Sequence, residues 1–375
     1  MDEKKTKTLF VILGLVLTLP LLQQITGIVH EKSLKGAVEK PIQPTLNNKD
    51  WFDGSFQSSF ENYINACFGF RNSFIRLNNQ LAYSISHKAK ANGVIIGKEN
   101  CLFEENYIKS YYGRDFVGED SINHVVERLR LLQTLLKTKG IDLVLVLNPG
   151  KASFFPELIP DDLKSEKQLS NYQYYAQKAR EKKLNVLDLN ALFLQLKQKS
   201  PYPLFSKCGI HWTYYCETLA EDTLIKYLGA LQNVATPTIR ISSIYWDEGS
   251  LFRDADIKEG MNLIDGPDCE QLAYPIYQVI DNNRTLLNCI TISDSFYWGI
   301  YGRDDIKKLF RENQFWYYYS ELYSTAWTQT KTPQEINLKA EIEKQNVIVI
   351  MATEATLPKL GWGFIEDALR VLQIP

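Results

Sequence analysis

Leu286-Leu287-Asn288-Cys289-Ile290-Thr291-Ile292-Ser293-Asp294-Ser295-Phe296 passes from an apolar segment into turn residues. An apolar run of this length, closed by a turn, has the pattern of a buried strand. A serine placed where such a strand ends can expose its hydroxyl at the C-terminal edge of a sheet. Neighbouring backbone N–H groups there can hold an oxyanion. On that ground Ser295 is the candidate nucleophile. Asp294 and Ser295 are also ordinary turn residues, and on these residues alone a plain turn is the simpler reading. A helix-like run over Asp304–Phe310 is expected to follow.

Working outward, Leu143–Leu147 is a second unbroken apolar run and ends at Asn148-Pro149-Gly150-Lys151. Val347–Met351 has the same character, and Val186-Leu187-Asp188-Leu189 and the aromatic run Phe315–Tyr319 fit further strands. Between them lie helical patterns. Ile122, Val125, Val126, Leu129, Leu132 and Leu136 mark one helix face, which Gly140 ends. Further helices are expected over Tyr172–Lys183, from His211-Trp212 to about Leu228, and within Pro358–Leu372. Helices alternating with continuously apolar strands predict an α/β fold with a mainly parallel sheet. Sites in such sheets collect at the C-terminal strand ends. Lys151, Ser295 and Glu354 each follow a candidate strand and are expected to converge. Residues 236–284 are less regular and predict an insertion with short strands.

The N-terminus differs in kind. Lys4, Lys5 and Lys7 precede the apolar run Leu9–Leu22, which Ile25–Val29 extends. This predicts a membrane anchor or uncleaved signal over 1–29, with the lysines inside and the rest of the chain outside. Residues 30–50, with Pro41 and Pro44, suit a linker. Residues 51–375 would then form the main domain. Within it Phe56, Phe60, Ile64 and Cys67, then Phe74, Leu77 and Leu81, recur at helical spacing.

Apolar content of 45% and charged content of 23% are ordinary for a globular protein, and a net charge of −2 gives no footing for nucleic acid. Of the four histidines only His211 has an aromatic, site-like setting, so a histidine base would be His211. None of the six cysteines forms a C-x-x-C pair. Cys208 and Cys216 flank His211 and could pair; equally, all six could be reduced. No His/Asp/Glu cluster at ligand spacing occurs, so neither metal nor cofactor is expected.

Several short motifs recur in a telling order. They are Trp51-Phe52-Asp53-Gly54, Phe68-Gly69-Phe70-Arg71, Ile96-Gly97-Lys98-Glu99-Asn100-Cys101-Leu102-Phe103, Pro149-Gly150-Lys151-Ala152-Ser153-Phe154-Phe155-Pro156, Ile210-His211-Trp212 and Ser293-Asp294-Ser295-Phe296. With the anchor before them, they resemble the AlgJ/AlgX-like SGNH-hydrolase-type proteins of bacterial polysaccharide O-acetylation, over roughly residues 51–372. The resemblance implies a three-layer α/β/α fold. It implies Ser295 as nucleophile, from a G-D-S motif, and His211 as base, from a D-x-H-W motif. It further implies an envelope enzyme of the inner membrane, an O-acetyltransferase that moves an acetyl group to a polysaccharide hydroxyl or an acetylesterase that gives it to water. A multi-pass membrane acyltransferase would supply the acetyl group.

Two positions depart from the pattern. Ser293 stands for the glycine, and Gly209 stands for the acid that would orient His211. A triad acid fixes the histidine tautomer and stabilises the imidazolium. Asp188, Asp254, Asp256 and Glu354 are the candidate replacements, and Glu354, after the last strand, is the first choice. Without a replacement the site would be a Ser-His dyad, or the chain a binding or assembly protein on the same fold. Among the softer positions, Asp294 is expected to support the serine turn and Trp212 to pack behind His211. Lys151 is expected either to bind an anionic sugar or to be a solvated strand-end lysine.

Overall fold

The computed structural model describes residues 3–36, 42–247 and 254–373; Pro41 of the expected linker lies outside them. In chain order the strands are β1 (Val94–Ile96), β2 (Leu102–Glu104), β3 (Asp142–Asn148), β4 (Val186–Asp188), β5 (Thr238–Asp247), β6 (Leu272–Ile280), β7 (Leu287–Ser293), β8 (Phe310–Tyr317), β9 (Glu321–Ser324) and β10 (Val347–Thr353). Six of them form one sheet in the order β4-β3-β10-β7-β8-β9. All neighbours are parallel except β8 and β9, which run antiparallel. Every residue of β3 and β10 is buried, which explains why both read as continuous apolar runs rather than alternating ones. The chain thus has an α/β fold with a mostly parallel central sheet.

One face of this sheet, including Leu143, Leu145, Ile290, Ile292, Ile348 and Ile350, packs into a single core. The apolar stripe of the helix Glu119–Lys137 completes it, with the helices Asn171–Glu181 and Phe364–Gln373. Residues pointing the other way, such as Val144, Val146, Val349 and Met351, are buried as well. The register brings three strand ends level, since Thr353 pairs with Asn148 and Met351 with Ser293. The turn that carries Ser295 leaves the sheet at this edge.

Four expectations need correction. The helix expected from His211 begins at Tyr214, because Thr213 caps it by accepting from Cys216 N–H; His211 therefore stands on the loop before the helix. The insertion at 236–284 is not built of short strands, since β5 and β6 pair antiparallel over 10 and 9 residues. The expected helix Asp304–Phe310 is only Ile306–Leu309, and Phe310 already opens β8. Finally, the chain divides into two compact units, one of residues 1–94 with 257–267 and one of 95–256 with 268–375. Residues 51–94 therefore fall outside the sheet unit, because the helix Arg71–Ser86 bonds to the backbone of 261–265.

Candidate active site

Ser295 is the first residue of a one-turn 3-10 helix, Ser295–Tyr297, that starts directly after β7 and Asp294. Asp294 makes this turn rigid. Its Oδ1 accepts from Phe296 N–H at 3.1 Å, while Oδ2 accepts from Thr353 N–H at 2.9 Å, Thr353 Oγ1 at 2.8 Å and Thr356 Oγ1 at 2.7 Å. One carboxylate thus ties the serine turn to the end of β10. Tyr107 extends the network by donating its hydroxyl to Thr353 Oγ1 at 3.2 Å.

His211 comes from a different part of the chain and is held by a clamped loop. Phe205 and Trp212 form an isolated antiparallel bridge at its base. Inside the loop Ser206 Oγ accepts from the N–H groups of Cys208 at 2.9 Å and Gly209 at 3.3 Å. Lys151 closes it from below by donating to the carbonyls of Lys207 at 2.9 Å and Gly209 at 2.5 Å. Lys151 is wholly buried, so it is neither a solvated lysine nor open to a sugar. Burial pushes its ammonium down to about 8, against the pull of Cys101 and Asp256. Trp212 is buried and packs on Phe296 and Phe193, with ring centroids 5.2 Å and 6.2 Å away.

The loop delivers the imidazole to Ser295. His211 Nε2 lies 2.9 Å from Ser295 Oγ, although 84 residues separate them. On the far side of the ring, Nδ1 lies 2.7 Å from Asp256 Oδ2. The other oxygen, Asp256 Oδ1, accepts from Ile210 N–H at 2.8 Å. One carboxylate therefore grips both the ring and the backbone that carries it. Burial alone would raise the Asp256 carboxyl. The His211 ring, its hydrogen bonds and the Lys151 ammonium outweigh that and hold it below the ordinary carboxylate value. Glu104, at the end of β2, is pushed up by burial and by Asp256. The group facing His211 Nδ1 is thus an ionised carboxylate, the species that stabilises an imidazolium.

The other candidate acids lie elsewhere. Glu354 is only 4% exposed and is bonded away from His211. It accepts from Ser153 Oγ at 2.5 Å, from the Asn190 amide and from Gly150 N–H at 3.4 Å. Burial raises its carboxyl above the ordinary value despite these bonds. Asp188 caps the helix Leu189–Leu196 and pairs with Arg180 at 2.8 Å. Asp254 is buried, and that burial pushes its carboxyl up to about 8.

Two features were out of reach of spacing arguments. Asp256 lies 45 residues from His211 across the β5 region, with no local motif to join them. Cys208 pairs with Cys269 in a disulfide, while Cys216 is a buried free thiol, so the expected alternatives of a Cys208–Cys216 bridge or six thiols both give way. Cys216 sits in the first turn of a helix behind Thr213 and is directed into the core. Among the described residues no group of three His, Cys, Asp or Glu side chains could hold a metal ion.

Comparison with known proteins finds relatives over part of the chain. Residues 94–237 match the family described as SGNH hydrolase-like domain, acetyltransferase AlgX. A curated relative, the probable alginate O-acetylase AlgJ of Pseudomonas aeruginosa, is 28% identical over 200 residues, which is 53% of this chain. That match spans 46% of the relative's own length, about half of it. Among solved structures, the O-acetyltransferase domain of Pseudomonas putida AlgJ aligns at 17% identity and a TM-score of 0.48, covering 74% of this chain and 99% of that one. AlgX of Pseudomonas aeruginosa aligns at 14% identity and 0.43, covering 73% and 66%.

Proposed function

From the premise that this chain is an AlgJ/AlgX-like protein of the SGNH type, we propose that it is a membrane-anchored O-acetyltransferase acting on an exported polysaccharide through Ser295, His211 and Asp256. The observation that carries the proposal is the unbroken relay of 2.9 Å and 2.7 Å from Ser295 Oγ through His211 to Asp256.

Each group has one task. Asp256 keeps the proton on Nδ1, which leaves the Nε2 lone pair facing Ser295. His211 takes the Ser295 hydroxyl proton as Oγ attacks the acetyl carbonyl of the donor. The tetrahedral oxyanion gains a donor from Ser295 N–H, which has no intrahelical partner at the first position of its helix. Collapse expels the donor's alcohol or thiol with the proton from His211 and leaves acetyl-Ser295. A sugar hydroxyl then loses its proton to His211 and attacks the acetyl group. The sugar ester leaves and Ser295 regains its proton. Gly209 in place of the family's acid does not empty the site, because Asp256 supplies a carboxylate from another direction. That supports the enzyme reading over a binding or assembly protein.

The relative's name points to an alginate-type polymer as acceptor. The apolar helix over Lys4–Thr26 is long enough to cross a bilayer, and Lys4, Lys5 and Lys7 favour a cytoplasmic start. The Cys208–Cys269 disulfide suits the oxidising side of that membrane, the periplasm or cell exterior. A multi-pass membrane acyltransferase fits as the acetyl source. A serine-directed fluorophosphonate tests the site in the full chain. Wild type should be labelled on Ser295 and Ser295→Ala should not. Equal labelling of both, or of neither under conditions where acetyl esters are turned over, contradicts the proposal.

A further inference from the structure

The helix Arg71–Ser86 presents its two faces the wrong way round for a protein in water. At roughly 100° per residue, Asn72, Arg76, Asn79 and Gln80 share one arc of about 100°. That polar arc faces the protein. Arg76 donates to Ser33 carbonyl at 2.8 Å, Asn79 to Met261 carbonyl at 2.9 Å, and Gln80 Oε1 accepts from Ile264 and Asp265 N–H at 3.0 and 2.9 Å. Phe74, Leu77, Leu81 and Ile85 share the opposite arc, of about 80°. They are 45%, 48%, 50% and 77% exposed. A surface helix in water turns its apolar stripe inward. The helix Glu119–Lys137 of the sheet unit does so, with Ile122, Val126, Leu129, Leu132 and Leu136 all buried. The preceding helices Asn48–Phe52 and Ser55–Cys67 bury no residue and expose Trp51, Phe52, Phe60 and Ile64.

A second observation says what covers this face. The bend between the helices Ser55–Cys67 and Arg71–Ser86 rests on the far end of the N-terminal apolar helix. A Cβ on Gly69 would fall 2.1 Å from Pro20 carbonyl oxygen and 2.8 Å from Gln24 N, so only glycine permits the approach. Gln24 also donates to Cys67 Sγ at 3.7 Å, and Ser73 donates through Oγ to Glu31 at 2.6 Å. Pro20 lies about 24 Å along the helix from Lys4, at 1.5 Å per residue. A hydrocarbon core is about 30 Å thick. Gln24, which the bend also touches, lies about 30 Å from Lys4 on the same count, so a span that begins at Lys4 would bring the bend to the outer boundary of the bilayer, beside exposed Phe, Leu, Ile and Trp side chains.

We propose that residues 48–86 form an interfacial helical collar whose apolar face lies in the outer headgroup and acyl boundary of the membrane that the N-terminal helix crosses. The occupant of the face is lipid. The inverted polarity follows, since the apolar face meets hydrocarbon while the polar arc satisfies backbone groups of Lys32, Ser33, Met261, Ile264 and Asp265. The collar adds apolar contact area to a single-span anchor and fixes the orientation of the span's outer end.

The inference rests on the anchor reading above, and the experiment separates the two. Benzoylphenylalanine is placed singly at Leu13, Phe74, Leu81 and exposed Glu166 of the full chain in native membranes, then irradiated. Lipid adducts at Leu13, Phe74 and Leu81, and none at Glu166, are expected. Lipid at Leu13 but none at Phe74 and Leu81 overturns the collar while leaving the anchor. A discrete protein adduct at Phe74 and Leu81 overturns it in favour of a membrane-protein partner. No lipid at Leu13 overturns the anchor and the collar with it. Phe74→Ser and Leu81→Ser together should also raise the fraction of the protein extracted by mild detergent at least twofold; unchanged extraction contradicts the collar.

Discussion

Asp256 and Glu354 invite comparison because both are carboxylates near the C-terminal edge of the sheet and both were open to the role of acid partner. Glu354 directly follows β10, is buried, and is bonded to Ser153, Asn190 and Gly150. Asp256 comes from beyond β5, keeps its side chain 28% exposed, and meets His211. Burial dominates at Glu354 and raises its carboxyl; at Asp256 the ring, the Ile210 N–H and Lys151 together win over burial. The lesson is physical. A place at the end of a strand brings a side chain to the edge, but its charge state and its partner are set by donors that arrive from distant sequence.

Four changes sharpen or break that contrast. The largest effect is expected from Asp256→Asn, which leaves shape but removes the charge opposite Nδ1. Acetyl-ester turnover should fall roughly 10³- to 10⁴-fold, whereas Glu354→Gln should stay within about threefold of wild type. A reversed ranking breaks the contrast. Next is the Cys208–Cys269 disulfide, which spans 61 residues and pins the histidine loop, with no counterpart at Glu354. Replacing both cysteines by serine should lower unfolding stability by about 4 kcal/mol on chain-entropy grounds, read by denaturant midpoint. An unchanged midpoint contradicts the pinning.

Lys151→Met comes third. Losing the clamp on the Lys207 and Gly209 carbonyls should misplace His211 and cut kcat by about 10²-fold, with less effect on KM. It should also move the Asp256 carboxyl upward, read as its carboxyl NMR titration shifting to higher pH; a shift the other way breaks the link. The smallest effect is a pair of opposite pH slopes. Glu354 is raised, so its contribution to stability is complete below its ordinary 4.5 and is lost as pH rises through the raised value. Asp256 is lowered, so its contribution is present above 3.8 and is lost as pH falls through the lowered value. Thermal melts should show Glu354→Gln flattening the decline that begins as pH rises above 4.5, and Asp256→Asn flattening the decline that begins as pH falls below 3.8.

Much of the frame was legible because it rests on local pattern. The strands β3, β7 and β10 are buried on both faces, so their apolar runs announce them, and the stripe Ile122 to Leu136 has a single helical period. The strand end made Ser295 a candidate beside a plain turn, elimination among four histidines left His211 as the candidate base, and the family resemblance gave the two their paired roles. Asp256 could be named only as one of four acids, because its link to His211 is a tertiary contact with no spacing rule. The Cys208–Cys269 pairing was hidden for the same reason. The stripe Phe74, Leu77 and Leu81 shows where sequence reading stops. Its period gives a helix face as clearly as Leu129, Leu132 and Leu136 do, yet one face is exposed and the other buried. Periodicity locates a face and is silent on what covers it.

The tautomer of His211 tests the central claim most directly. With only four histidines in the chain, nitrogen NMR of ring-labelled protein can assign each ring. At a pH where the ring is neutral, the relay requires the proton on Nδ1, towards Asp256, and a bare Nε2 towards Ser295. Asp256→Asn should lose this preference, and Glu354→Gln should keep it. A neutral His211 protonated at Nε2 in the wild type, or a tautomer indifferent to Asp256→Asn, would contradict the account.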